Sequence, residues 1–171
     1  MEIFILNWYW CMGFPRYRNI RCQYCNQKAQ PVHGSELYAE KNPLSKNMFY
    51  ACLGCDAWVG MHKHSRKPFG SLANKELRNK RVVAHTLLDP LWARLIEQFK
   101  LPKPQARTLI YTWLSQKMGI PFEDCHIGMF DVEQCNMAMH HTRKLKDADL
   151  SFLLNIDSAV NPTKANVGGV S

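Results

Sequence analysis

Two Cys-x2-Cys pairs, Cys22/Cys25 and Cys52/Cys55, are separated by 26 residues, and no other feature limits so strongly what this chain can fold into. Each pair puts two sulfurs on one side of a tight turn. Two such turns facing each other supply four thiolates at the corners of a tetrahedron. That arrangement suits Zn2+, which has no directional d-electron demand and binds thiolate at about 2.3 Å in closed structural sites. Two alternatives fail on separate grounds. A redox Cys-x2-Cys sits at the start of a helix in a βαβ pattern and would not come twice, and disulfides need an oxidising compartment. The spacing therefore predicts a four-cysteine zinc ribbon with Zn2+ as its cofactor.

The remaining cysteines bear on the compartment. Seven is an odd number, so complete pairing is ruled out, and Cys11, Cys125 and Cys135 are left after the ribbon takes four. With no secretory signal these read as buried thiols of a reducing cytoplasm. The stretch Met1 to Gly13 (MEIFILNWYWCMG) is apolar, but it carries Glu2 where a signal carries positive charge, and it is too short to span a bilayer. It reads as a strand packing on the ribbon or as an extension outside the functional module. No membrane partner is expected.

The net charge is +8, and the surplus is concentrated. Between Met61 and Arg81, Lys63, Arg66, Lys67, Lys75, Arg78, Lys80 and Arg81 stand against the single acid Glu76, a local balance of +6. A run of cations by itself is most simply a solvated helix face. Directly after a zinc ribbon it reads instead as a surface for a polyanion, with phosphate contacts that weaken as salt rises.

Taken in order, the chain divides into an apolar extension (1–20), the zinc ribbon (21–70), a helical module (71–148) and a flexible tail (149–171). The ribbon is expected to comprise a strand, a turn at Gly34 and a second strand over AQPVHGSELY, an apolar strand NMFYA leading into the second cysteine pair, and a return strand DAWVG. It is too thin to hold a core without metal. From Ser71 the apolar period changes to helical, with Leu72, Leu77, Val82, Val83 and Leu87 on one side. Asp89 before Pro90 reads as an N-cap with proline at the first helical position, so a second helix is expected from Leu91 to Phe99. Two more are expected, Gln105 to Met118 and Asp131 to Lys146. The fold class is α+β: a ribbon of short antiparallel strands followed by a small bundle of four helices.

One resemblance covers most of the chain. Cys22-x2-Cys25, Cys52-x2-Cys55 followed by Asp56-Ala57-Trp58-Val59-Gly60-x-His62, Pro68-x-Gly70-x-Leu72-Ala73-Asn74, Arg78, His85, Asp89-Pro90-Leu91-Trp92 and Cys125-His126-Ile127-Gly128-Met129-Phe130-Asp131 occur in that order. The chain resembles a small zinc-finger-containing family of phage and prophage proteins. The resemblance implies a zinc ribbon fused to a helical module in the cytoplasm of a bacterial host cell, and it implies no reaction.

The candidate site residues follow. Cys22, Cys25, Cys52 and Cys55 are the metal ligands. Lys63, Arg66, Lys67, Lys75, Arg78, Lys80 and Arg81 are the candidate phosphate contacts. Tyr24 and Trp58 are aromatic faces on the ribbon against which unstacked bases could pack. His62 and His64 alternate after the return strand and share one face; with His85 or His126 they are candidate functional histidines. His126 could also join Cys125 and Cys135 in a second metal site, although buried thiols explain those cysteines more simply. No catalytic residue is assigned. The expected function is nucleic-acid binding, DNA or RNA, by a phage-type accessory protein. A protein-interaction module acting on a host enzyme or defence complex is the second reading, and a metal-dependent nuclease using His62, His64 and His85 is the third.

Overall fold

A computed structural model of the protein describes residues 17–156. The readings placed on Met1 to Gly13, on Cys11 and on the tail beyond residue 156 lie outside the described residues. The chain divides between Ala73 and Asn74 into two compact units.

The first unit is a three-stranded antiparallel sheet in the order β1 (Gln30–His33), β2 (Met48–Cys52), β3 (Ala57–Gly60). Its registers pair Gln30 with Ala51 and His33 with Met48 on one side of β2, and Phe49 with Gly60 and Cys52 with Ala57 on the other. Successive side chains of a strand point to opposite faces, and β2 uses both faces. Met48, Tyr50 and Cys52 join a cluster with Cys22, Ala29, Ala57, Val59, Met61 and Leu72, whereas Phe49 and Ala51 meet Val32, Leu37, Tyr38 and Trp58. A central strand covered on both sides explains why NMFYAC reads as a near-continuous apolar run.

The strand expected after Gly34 is absent. Residues Gly34–Glu36 form a 3-10 turn instead, because the Glu36 carboxylate turns back to accept the His33 backbone N–H at 2.9 Å. Gly34 donates its own N–H to the Asn47 carbonyl at 2.7 Å. A side-chain carbon at Gly34 would run into the carbonyl oxygen of Leu44, so only glycine lets the two segments approach this closely.

Among the described residues the second unit contains three long helices, α1 (Lys75–Phe99), α2 (Lys103–Met118) and α3 (Val132–Arg143), each packed against the other two. The fourth expected helix does not exist as a separate element, since α1 runs straight through Pro90. Proline inside a helix removes one backbone bond, but the buried positions Leu77, Ala84, Leu88, Leu91 and Leu95 stay in phase only if the helix continues. Asp89 does not cap. Its carboxylate accepts the Trp92 indole N–H at 3.2 Å and faces His85 Nδ1 at 3.3 Å, so it links the turns on either side of the proline. The inward face also differs from the expected one, because Val82 and Val83 are 64% and 44% exposed. Helix α3 starts at Asp131, whose side chain accepts from Gln134 N at 2.7 Å in a capping box, and ends at Arg143 rather than Lys146.

The segment from Asp149 was expected to be a free tail. Instead Leu150 and Leu153 are fully buried around a 3-10 turn, Ser151–Asn155. Arg94 anchors the approach to it, donating to the carbonyls of Leu145 at 3.1 Å, Lys146 at 2.6 Å and Ala148 at 2.7 Å. No helix among the described residues is long and apolar enough to cross a membrane.

Candidate metal centre

The first cysteine pair sits on a tight turn closed by an isolated antiparallel bridge between Arg21 and Lys28. Cys22 N donates to Gln27 O and Asn26 N to Cys22 O, both at 2.8 Å, and Asn26 takes a left-handed φ of 58°. The second pair lies where β2 ends. A 3-10 turn, Leu53–Cys55, is followed by Asp56 with φ 48°, which reverses the chain into β3. Asparagine and aspartate tolerate the left-handed region better than most residues.

The sheet and the two turns bring the sulfurs of Cys22, Cys25, Cys52 and Cys55 within 4.8 Å of one another, and Cys25 and Cys52 are 3.6 Å apart. A tetrahedral zinc with bonds of about 2.3 Å has sulfur–sulfur edges of about 3.8 Å, so the donor set matches in number, element and spacing. Cys22 and Cys52 are buried, Cys55 is half-buried and Cys25 is exposed. With four protein ligands no coordination position is left for substrate, which makes this a structural type of site.

Three of these thiols are shifted by their closeness to one another and by burial. Cys25 is held below the ordinary thiol value, first by the backbone N–H of Gln27 and then by the Cys55 thiol. Cys55 is pushed up to about 12, chiefly because it donates to the Cys25 sulfur. Cys52 is raised, burial first and its bond to Cys25 second. Four thiolates this close repel one another, and a divalent cation among them reverses that balance.

Over residues 18–145 the chain matches a family described as a zinc-finger-containing domain. The chain belongs to that family. No curated protein and no solved structure matches it. For a zinc-finger-containing domain the cluster of four cysteines is the expected centre, and it suggests a zinc ion.

This zinc-finger-containing domain carries a further turn of the same shape, one that has no cysteines. Met61 bridges Pro68, His62 N donates to Lys67 O at 2.8 Å, and Arg66 N donates to His62 O at 2.9 Å. Arg66 has φ 52°. The bonds and the left-handed residue fall at the same offsets from His62 as from Cys22, and Lys67 N approaches Ser65 Oγ at 3.4 Å where Gln27 N meets the Cys25 sulfur. His62 and His64 therefore lie in a turn, not on alternating strand positions. His62 packs edge-on against Phe69 with ring centroids 4.3 Å apart.

The other candidates are dispersed. His85 and His126 belong to the second unit. His126 accepts the Gly128 N–H on Nδ1 at 3.1 Å and stacks on Tyr111 at 6.1 Å, and burial first, then neighbouring positive groups, hold it below the ordinary imidazole value. Among the described residues the four cysteines are the only group of three or more His, Cys, Asp or Glu that could hold a metal. Cys125 and Cys135 are buried thiols, both raised by burial, Cys125 to about 11. Trp58 is taken up by the fold, donating its indole N–H to Tyr38 Oη at 2.8 Å; Tyr24 is exposed.

The seven candidate cations divide between the units, with Lys63, Arg66 and Lys67 in the first and Lys75, Arg78, Lys80 and Arg81 in the second. Arg81 has a structural task, donating from Nε and Nη2 to the Phe130 carbonyl at 3.0 and 2.7 Å, and Lys80 donates to Asn136 Oδ1 at 3.0 Å. Tyr50 went unrecognised in the sequence. Its hydroxyl accepts the Arg18 N–H at 2.7 Å and donates to the Arg66 carbonyl at 3.0 Å, and nothing in the spacing of an apolar strand marks that role.

Proposed function

We propose that this domain binds nucleic acid, with Zn2+ on Cys22, Cys25, Cys52 and Cys55 fixing the sheet from which Lys63, Arg66 and Lys67 reach phosphates. One observation supports this reading above the others. The turn that follows β3 carries three cations, and among the described residues none of the three has a carboxylate partner. Residues 17–73 hold eight Lys and Arg against three Asp and Glu, a balance of +5. A zinc tetrathiolate would lower it by two, leaving the unit cationic.

A mobility-shift titration of single- and double-stranded DNA and RNA at two salt concentrations tests the reading. Lys63→Ala combined with Lys67→Ala should weaken binding and reduce the salt slope by about 1–2, since each lost phosphate contact removes about 0.7–0.9. Unchanged affinity in the double variant would remove these residues from the interface. Absence of binding to every nucleic acid at low salt would favour a protein partner instead.

A further inference from the structure

The first unit holds a cavity of about 420 Å3 whose lining includes Lys46, Asn47, Lys63, Arg66 and Tyr17, with two methionines completing it. Three of these residues are cations and none is an acid. Lys46 ends the 3-10 turn Pro43–Lys46, and Lys63 and Arg66 come from the cysteine-free turn; Met61 N donating to Met48 O at 3.2 Å joins the two segments. Lys46 lies outside the basic run of the sequence. The fold alone brings it to the other two.

The geometry points to a phosphomonoester site, a reading that rests on the nucleic-acid assignment and adds to it the phosphorylated end of a strand as ligand. Like charges gathered in one cavity repel unless an anion joins them. A phosphodiester brings one negative charge, whereas a phosphomonoester brings about 1.5–2 at neutral pH, a better match to three cations. Arg66 is prepared for the task. Its guanidinium lies 4.1 Å from the Tyr17 ring centroid instead of on a carboxylate, and its backbone is fixed in the left-handed region while its carbonyl accepts from Tyr50. Among the described residues no protein acceptor takes its guanidinium N–H groups, and that planar fork matches two phosphate oxygens. The cavity lies within the range of small-ligand sites, about 300–1,000 Å3, and has room for a terminal nucleotide.

The test compares short single strands with a 5′-phosphate, a 3′-phosphate or hydroxyls at both ends, by fluorescence anisotropy on the metal-loaded full chain. One phosphorylated end should bind at least about tenfold tighter than the unphosphorylated strand, the value of one charge-assisted bond. Lys46→Ala should abolish that preference and leave the affinity for the unphosphorylated strand unchanged. Arg66→Asn should also abolish the preference, because asparagine keeps the left-handed turn, as Asn26 does, and removes the guanidinium; as Arg66 is itself one of the proposed strand contacts, affinity for the unphosphorylated strand should fall with it. Bound metal measured in each variant confirms that the fold is retained. Equal affinity for all three strands would overturn the site and leave the nucleic-acid reading standing. If no strand binds, calorimetric titration with inorganic phosphate and a nucleoside monophosphate decides. Binding that Lys46→Ala removes keeps the site and overturns the nucleic-acid reading, and no binding overturns both.

Discussion

Replacing Tyr50 by Phe removes one oxygen from the middle of the first unit and leaves the packing alone. The ring is fully buried, so the phenyl group fills the same space. The lost hydroxyl accepts from Arg18 N at 2.7 Å and donates to Arg66 O at 3.0 Å. Each bond to a neutral backbone group contributes about 0.5–1.5 kcal/mol net, so the pair contributes about 1–3 kcal/mol. The loss should fall on the turn His62 to Lys67, because Arg66 holds φ 52°, where a non-glycine residue needs its surroundings to keep it. Amide hydrogen exchange of the metal-loaded protein reads this directly. The N–H groups of His62 and Arg66, which close the turn at 2.8 and 2.9 Å, should exchange about 5- to 150-fold faster in the variant, the conversion of the same energy. Tyr38→Phe, which removes the Trp58 acceptor on the opposite face of the sheet, should leave both amides unchanged. If His62 and Arg66 exchange at the wild-type rate in Tyr50→Phe, the turn does not depend on Tyr50 and the account of how Arg66 is positioned is wrong.

Two other outcomes follow from the same structure. Stripping the metal with a strong chelator should unfold the first unit and spare the second. Structural zinc supplies about 10–16 kcal/mol of apparent binding energy at neutral pH, and a core this small holds only about 3–5 kcal/mol. Exchange protection lost across β2 and kept across α2 would show it; protection retained in β2 would mean that the sheet folds without the cysteines' ligand. In the second unit, burial raises the Cys125 thiol from its ordinary 9.0 to about 11. The folded chain therefore holds that proton more tightly than the unfolded one, and this contribution to stability is complete below pH 9 and lost as pH rises through 11. Denaturant unfolding as a function of pH should show that fall, and Cys125→Ala should flatten it.

The parts of the fold that were legible are those where one chemical demand dominates a short stretch. Four cysteines in two tight pairs come together as one cluster that suggests a single ion, and β2 between them is apolar at every position because both its faces are covered. Helix α2 was legible for a related reason, since Leu109, Ile110, Trp113 and Leu114 are all buried and Gly119 closes the helix with φ 66°. Where local and tertiary demands conflict, the local signal misled. Asp89-Pro90 has the form of a helix start, yet the packing of Leu88, Leu91 and Leu95 outweighs the bond that proline removes. Val82 and Val83 fit a helical stripe as well as Ala84 and Leu88 do, and only the neighbouring helices decide which stripe faces in. The run Leu150 to Ile156 did carry an apolar signal, partly hidden by the polar residues around it.

The turn at His62 separates two contributions that the cysteine pairs combine. In all three hairpins the residue four places after the first takes the left-handed region, Asn26, Asp56 and Arg66, although Asp56 N closes on Leu53 O where the other two close on the first residue's carbonyl. At the first two the residue type eases the conformation and the sulfurs add a ligand. At the third neither holds, and the turn is kept by the Met61–Pro68 bridge, by its two backbone bonds and by the buried hydroxyl of Tyr50. Metal is therefore not what shapes such a turn. A zinc ion on the four sulfurs would add the connection between two turns far apart in sequence, across the sheet whose β2 carries Tyr50 to the Arg66 carbonyl. The backbone contacts account for the conformation of Arg66 but not for its charge: among the described residues no acid lines the cavity, and an anion there would supply the counter-charge that the Tyr17 ring beside the guanidinium does not.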